Sequence, residues 1–112
     1  WESFGRVKDA LWAAIQQHHL PLSFLSDDIE ILEGFRGRGY ALSTKEELEF
    51  LTKVARTEGV LLDPTYTGKA LLGLYNTVKA EPGRIGRRVL FWHTGGGFGL
   101  FRPDLDWKEL FP

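Results

Sequence analysis

Apolar positions recur at helical spacing in three stretches of the chain and collapse into short unbroken runs between and after them. From Ser3 to His19, Phe4, Val7, Leu11, Ala14 and Ile15 fall on one face, Ser3 can cap the start, and Pro21 closes the stretch. Ser43-Thr44-Lys45-Glu46-Glu47 offers two overlapping capping boxes, Ser43 with Glu46 and Thr44 with Glu47. Leu48, Leu51 and Ala55 then share a face, with Phe50 and Val54 beside it, and Gly59 suits a C-terminal cap. A third helical pattern runs from Gly68 to about Lys79 with Leu71, Leu74 and Val78 in register, and Glu81-Pro82-Gly83-Arg84 breaks it. The short apolar runs are Ile29–Leu32, Val60–Leu62 and Val89–Trp92. Alternation of helix and short strand predicts successive βαβ crossovers, hence a three-layer αβα arrangement on a parallel sheet. Residues 1–112 read as a single unit, with no linker and no internal repeat. The aromatic tail (Phe101, Trp107, Phe111) is expected to pack back on the body.

Each apolar run leads into a loop of unusual chemistry. The first enters Gly34-Phe35-Arg36-Gly37-Arg38-Gly39-Tyr40, the second Asp63-Pro64-Thr65-Tyr66-Thr67-Gly68-Lys69, and the third His93-Thr94-Gly95-Gly96-Gly97. In an open α/β sheet, ligands bind beyond the carboxyl ends of the strands, so three parallel strands would bring these loops to one edge. Tyr40 and Tyr66 then become candidates to hold a carboxylate, or to act as acid or base if a nearby cation lowers a phenol's pKa. Thr94 places a hydroxyl at the same edge, and the glycines after it let backbone approach a flat or anionic ligand.

Composition narrows the function classes. Apolar residues make up 43% and charged residues 26%, both ordinary for a water-soluble domain, and a net charge of −1 with scattered basic residues advertises no nucleic-acid face. No run approaches the length of a membrane span. Without cysteine there is neither a disulfide framework nor thiolate chemistry. A cytoplasmic location is the default, with an organelle the alternative if a transit peptide stood upstream. A chain that starts at Trp1 and contains no methionine reads as a processed, excised or partial product.

Other motifs fail on spacing. Thr67-Gly68-Lys69 lacks a P-loop's leading glycine, having Asp63 in that place, and Ala70 stands where the motif needs a hydroxyl. The 95–99 glycines do not match the dinucleotide fingerprint, His93 has no companion ligands at metal spacing, and no serine sits in a nucleophile elbow. Lys69, in the first turn of its helix, opposes the helix dipole and is expected to have an acidic neighbour.

Asp63-Pro64-Thr65-Tyr66-Thr67-Gly68-Lys69-Ala70, followed by Leu90-Phe91-Trp92-His93-Thr94-Gly95-Gly96, resembles the D-cysteine desulfhydrase and 1-aminocyclopropane-1-carboxylate deaminase family of pyridoxal-phosphate enzymes. The resemblance runs from about Asp28 to Phe101 and includes Gly37-Arg38-Gly39-Tyr40. It implies the tryptophan-synthase-β-like fold (fold type II) and the C-terminal portion of that enzyme's large domain. It also implies pyridoxal 5'-phosphate as cofactor, a small amino acid as substrate, and a homodimer. By the same resemblance Tyr40 and Tyr66 are the active-site tyrosines near the substrate and its carboxylate, Thr94 maps onto the residue that hydrogen-bonds the pyridine nitrogen in the desulfhydrase branch, and Thr67, Gly95 and Gly96 join it as cofactor-binding positions. Thr67 stands where the deaminase branch has a glutamate facing that nitrogen. The family's Schiff-base lysine and phosphate-binding segment lie upstream, in an N-terminal part this chain lacks, and Lys69 is not taken for that lysine. The expected reaction is β-elimination from D-cysteine giving pyruvate, ammonia and sulfide. Ring-opening deamination is the alternative, followed by a non-catalytic phosphate- or nucleotide-binding module and a structural half that pairs with a partner chain.

Overall fold

The computed structural model describes residues 2–106 and 108, with side chains from Phe4 onward. It divides into two compact units, Trp1–Leu32 and Glu33–Pro112, where the sequence reads as one. In the first, helix α1 (Glu2–Gln17) is followed by a 3-10 turn at Ser26–Asp28. Trp12 and Phe24 stack obliquely with ring centroids 5.4 Å apart, and Lys8 Nζ donates to Ser26 Oγ. None of this unit's described side chains is fully buried, and Val7 and Leu11 on the apolar stripe are 39% and 40% exposed. The cap assigned to Ser3 falls on a side chain outside the described residues.

The second unit is built on helix α2 (Lys45–Glu58) packed against helix α3 (Thr67–Ala80). Of the two overlapping capping boxes, the Thr44–Glu47 pair forms. Thr44 Oγ1 accepts from the Glu47 amide at 3.2 Å, while Glu47 Oε2 accepts from the Thr44 amide at 2.7 Å. Ser43 is thereby released to donate to the Pro64 carbonyl. Gly59 ends α2 in the left-handed conformation. The core is small: Leu51, Val54 and Leu62, with Phe50, Leu71 and Phe91 packed on it.

The face that α3 buries is only in part its apolar stripe: Leu71 packs on the core and Leu74 is half-buried, but the fully buried residues are others. Thr67, Gly68, Lys69, Gly73 and Thr77 are buried, whereas Val78 is 38% exposed. Small residues permit close approach. A Cβ on Gly68 would stand 2.5 Å from Leu51 Cδ1 and 2.7 Å from the Asp63 carbonyl oxygen, and one on Gly73 would stand 2.7 Å from Phe35 Cγ.

The predicted parallel sheet is absent among the described residues, which contain three α-helices and two 3-10 turns but no strand. Ile29–Leu32 belongs to a different compact unit from the other two runs, and no backbone ladder joins 60–62 to 89–92. A strand exists only with a neighbour to receive its N–H and C=O groups, and segments this short do not sustain a two-stranded pair alone. The tail also departs from expectation: residues Gly97–Phe101 form a 3-10 turn, and Phe101 is 81% exposed instead of packed. Trp107 and Phe111 lie outside the described residues.

Candidate active-site loops

Asp63 is the hub of the second unit. Val60-Leu61-Leu62 delivers it into a turn where its side chain is almost wholly buried. One carboxylate oxygen accepts the amides of Thr65 and Tyr66, each at 2.8 Å. The other accepts the Thr67 amide and the Thr67 hydroxyl, each at 2.7 Å. These four donors start α3 in place of a side-chain N-cap, since Tyr66 at the cap position makes no such bond. Burial by itself would raise the carboxyl's pKa, but the hydrogen bonds from Thr67, Tyr66 and Thr65 outweigh it and hold the group below its ordinary 3.8.

This arrangement commits Thr67. Its hydroxyl proton goes to Asp63, and its oxygen accepts the Asp63 amide at 2.9 Å. The residue is 3% exposed. Thr67 therefore fixes the turn that presents Tyr66 and has no proton to spare for a ligand. The motif's spacing showed a hydroxyl at this position, whereas its partner becomes evident only once the turn is folded.

Tyr40 and Tyr66, 26 residues apart, come together. Tyr66 Oη donates to Tyr40 Oη at 3.2 Å, with the rings edge to face at a centroid distance of 6.0 Å. Both rings are solvent-exposed. The hydrogen bond to Tyr40 is the largest influence raising the Tyr66 phenol above its ordinary value near 10, followed by slight desolvation and the charges of Tyr40 and Asp63. No cation lowers it, so Tyr66 keeps its proton at neutral pH and acts as a donor. The proton it gives to Tyr40's oxygen leaves the Tyr40 proton free to point outward.

The third loop meets the same turn through glycine. Gly96 (φ +91°) lies so close to Asp63 that a Cβ there would stand 2.7 Å from both Cγ and Oδ1. Gly95 (φ +95°) and Gly97 face open space. Glycine at 96 thus serves contact with Asp63, while glycine at 95 serves the left-handed turn. Thr94 is exposed, and its hydroxyl makes no hydrogen bond among the described residues. His93 holds the loop in place: Nδ1 accepts the Gly95 amide at 3.1 Å, which leaves Nε2 to carry the proton and donate to the Leu61 carbonyl at 2.9 Å. By spacing alone His93 is an isolated imidazole without companion metal ligands. Its position between two apolar runs was the available sign of a structural role.

The donor set suits pyridoxal phosphate's flat, weakly basic ring: an unpaired neutral hydroxyl at Thr94, backed by a glycine turn with open space at Gly95. No group of three or more His, Cys, Asp or Glu among the described residues could hold a metal ion. No described helix is long and apolar enough to cross a membrane.

No family model matches the chain. It is 51% identical over 77 residues to the mitochondrial bifunctional D-cysteine desulfhydrase/1-aminocyclopropane-1-carboxylate deaminase of Arabidopsis thaliana, covering 68% of this chain and 19% of that protein. It is 44% identical over 72 residues to a putative 1-aminocyclopropane-1-carboxylate deaminase of Thermotoga maritima, covering 64% of this chain and 22% of that one. The chain therefore spans about a fifth of the length of these relatives.

Proposed function

We propose, from this chain's membership of the D-cysteine desulfhydrase/1-aminocyclopropane-1-carboxylate deaminase family, that it forms one wall of a pyridoxal-phosphate pocket in an enzyme acting on a small amino acid. The observation that carries the reading is the hydrogen bond from Tyr66 to Tyr40, which joins two loops of the motif across 26 residues. When bound, the cofactor supplies the electron sink that makes the substrate's α-proton removable. The lysine that would hold it is assigned to polypeptide upstream of these motifs, and the fragment alone is expected to be inactive.

This chain's own contribution is orientation. Tyr66, kept protonated, donates to Tyr40 and directs the Tyr40 proton toward a substrate carboxylate. The Asp63–Thr67 knot fixes Tyr66, and the contact between Gly96 and Asp63 sets the glycine loop beside it. Thr94 would donate to a pyridine nitrogen, and it carries no negative charge with which to keep a proton on that nitrogen. A neutral ring is a weaker sink, adequate when a sulfur leaving group departs readily from the β-carbon and less so for opening a cyclopropane ring.

The reaction read from this is β-elimination from D-cysteine or a similar β-substituted amino acid. The full-length protein should be coloured by its cofactor, lose that absorbance on borohydride treatment, and release sulfide from D-cysteine faster than it opens 1-aminocyclopropane-1-carboxylate. Faster ring opening would overturn the choice of reaction, and a colourless protein inactive on both substrates would overturn the cofactor reading.

A further inference from the structure

The segment 36–42, which carries Tyr40, holds an improbable backbone. Gly37 has φ +67°, Gly39 +148°, and Ala41, which has a side chain, +55°. Such a run of left-handed residues persists only where its surroundings fix it. Three of its carbonyls, those of Arg36, Gly39 and Leu42, converge on the ammonium of Lys69 at 3.2, 2.9 and 2.8 Å. An ammonium has three protons, and here backbone oxygens take all three. The acidic neighbour expected for Lys69 is Glu47: its Oε1 and the Lys69 ammonium flank the same point beside Gly37, while its Oε2 is engaged by the Thr44 amide and the ammonium's protons go to the carbonyls.

A buried cation ringed by carbonyl oxygens is the arrangement that strips and replaces the hydration shell of a potassium ion, whose size is close to that of ammonium. We propose that Lys69 is a tethered monovalent cation: its ammonium permanently fills a three-carbonyl site that orders residues 36–42 and thereby positions Tyr40 against Tyr66. The tether has a geometric point. Lys69 lies one turn after Tyr66 on α3, so one helix terminus fixes both Tyr66 and the loop bearing its partner. Glu47 and Gly37 complete the surroundings: both charged residues are buried, and both abut the point where a Gly37 Cβ would stand, Glu47 Oε1 at 2.5 Å and Lys69 Nζ at 3.0 Å. A cavity of about 260 Å3, lined in part by Gly37, Thr44, Glu46, Glu47 and Lys69, borders the ammonium's surroundings.

The test does not depend on any reaction. Arg36 and Arg38 are exposed within the ordered segment and are trypsin sites, so cleavage there reports its order. In the full-length protein, Lys69→Met keeps the side chain's bulk without its charge, and Lys69→Ala empties the site. Cleavage after Arg36 and Arg38, followed by mass spectrometry, should accelerate at least about tenfold in both variants, since local opening governs proteolysis. Potassium or ammonium chloride should restore protection to Lys69→Ala, but neither to Lys69→Met, whose side chain still fills the space, nor further to the wild type. Tetramethylammonium chloride at equal ionic strength should not restore it. Cleavage of Lys69→Met at the wild-type rate would overturn the proposal. So would protection of Lys69→Ala that is absent in potassium or equal in tetramethylammonium. Equal acceleration at Lys53 and Arg56 within α2 would also count against it, because that pattern means general unfolding rather than a loosened loop.

Discussion

Asp63→Asn isolates the hub of the candidate site with a change of almost no volume. The carboxylate accepts four hydrogen bonds, two on each oxygen. An amide keeps one oxygen and turns the other into a donor: toward Thr65 and Tyr66 its NH2 meets two amide donors, and toward Thr67 it meets one amide donor and a hydroxyl that must turn its proton away, so in either orientation two of the original bonds are lost. Hydrogen bonds to a charged acceptor are worth about 1.5–3 kcal/mol each, so two lost bonds cost about 3–6 kcal/mol before relief. Removing the buried charge returns part of that, and a net loss of about 2–4 kcal/mol follows. In the full-length protein, taken to melt in a unit of about 150–250 residues, each kcal/mol moves Tm by roughly 2–4 °C, so thermal unfolding followed by circular dichroism at pH 7 should show a fall of roughly 4–16 °C. The pH dependence has a definite sign. The folded pKa lies below the ordinary 3.8, so the stabilisation is fully present above that value and disappears as pH falls through the lower folded value. The gap between wild type and Asp63→Asn should hold from neutrality down to that range and close only beneath it. A fall under about 2 °C at pH 7, which converts to less than about 1 kcal/mol, would mean that the carboxylate does not hold the turn.

Two further substitutions address the remaining elements. Thr94→Ala in the full-length protein should slow turnover by roughly 10- to 100-fold, or about 1.4–2.7 kcal/mol, with Tm unchanged because the hydroxyl has no partner among the described residues; steady-state kinetics beside a melt checks both. Gly68→Ala should destabilise by about 1–3 kcal/mol in urea unfolding, because its methyl would meet the Asp63 carbonyl as well as the more yielding Leu51 side chain; an unchanged midpoint would show that α2 and α3 can part without cost.

The local signals were legible because local physics decides them. Capping chemistry at Thr44–Glu47, the left-handed stop at Gly59 and the span of α3 each depend on a few adjacent residues, and each forms as read. The pairing of Tyr40 with Tyr66 was also readable, since both sit in loops whose motif implies a common site. The sheet was not, because an apolar run shows a preference for extended backbone while a ladder needs a second run in register, and these described residues supply none. The buried face of α3 is only partly legible, for a different reason: Leu71 of the stripe packs on the core, but the fully buried positions lie elsewhere. Hydrophobic periodicity points to Leu71, Leu74 and Val78, whereas this contact selects for close approach and for the chemistry of Asp63 and Lys69. Nothing in the spacing of Lys69 announces three carbonyls from a loop about 30 residues upstream.

His93 gives the two unladdered runs a different kind of connection. A ladder would fix 60–62 against 89–92 at every second residue, whereas here an imidazole ties the Leu61 carbonyl to the Gly95 amide and Phe91 packs on the core that holds Leu62. Beyond these contacts the runs remain open, and Leu61, Leu90 and Trp92 stand 62%, 80% and 76% exposed along them. Open extended backbone flanked by apolar side chains is an adhesive edge that pairs with whatever extended segment reaches it first. Within a longer polypeptide that segment is supplied at high local concentration by the same molecule. For the 112-residue chain in free solution it is supplied by its neighbours, and self-association becomes the competing fate of the same surface.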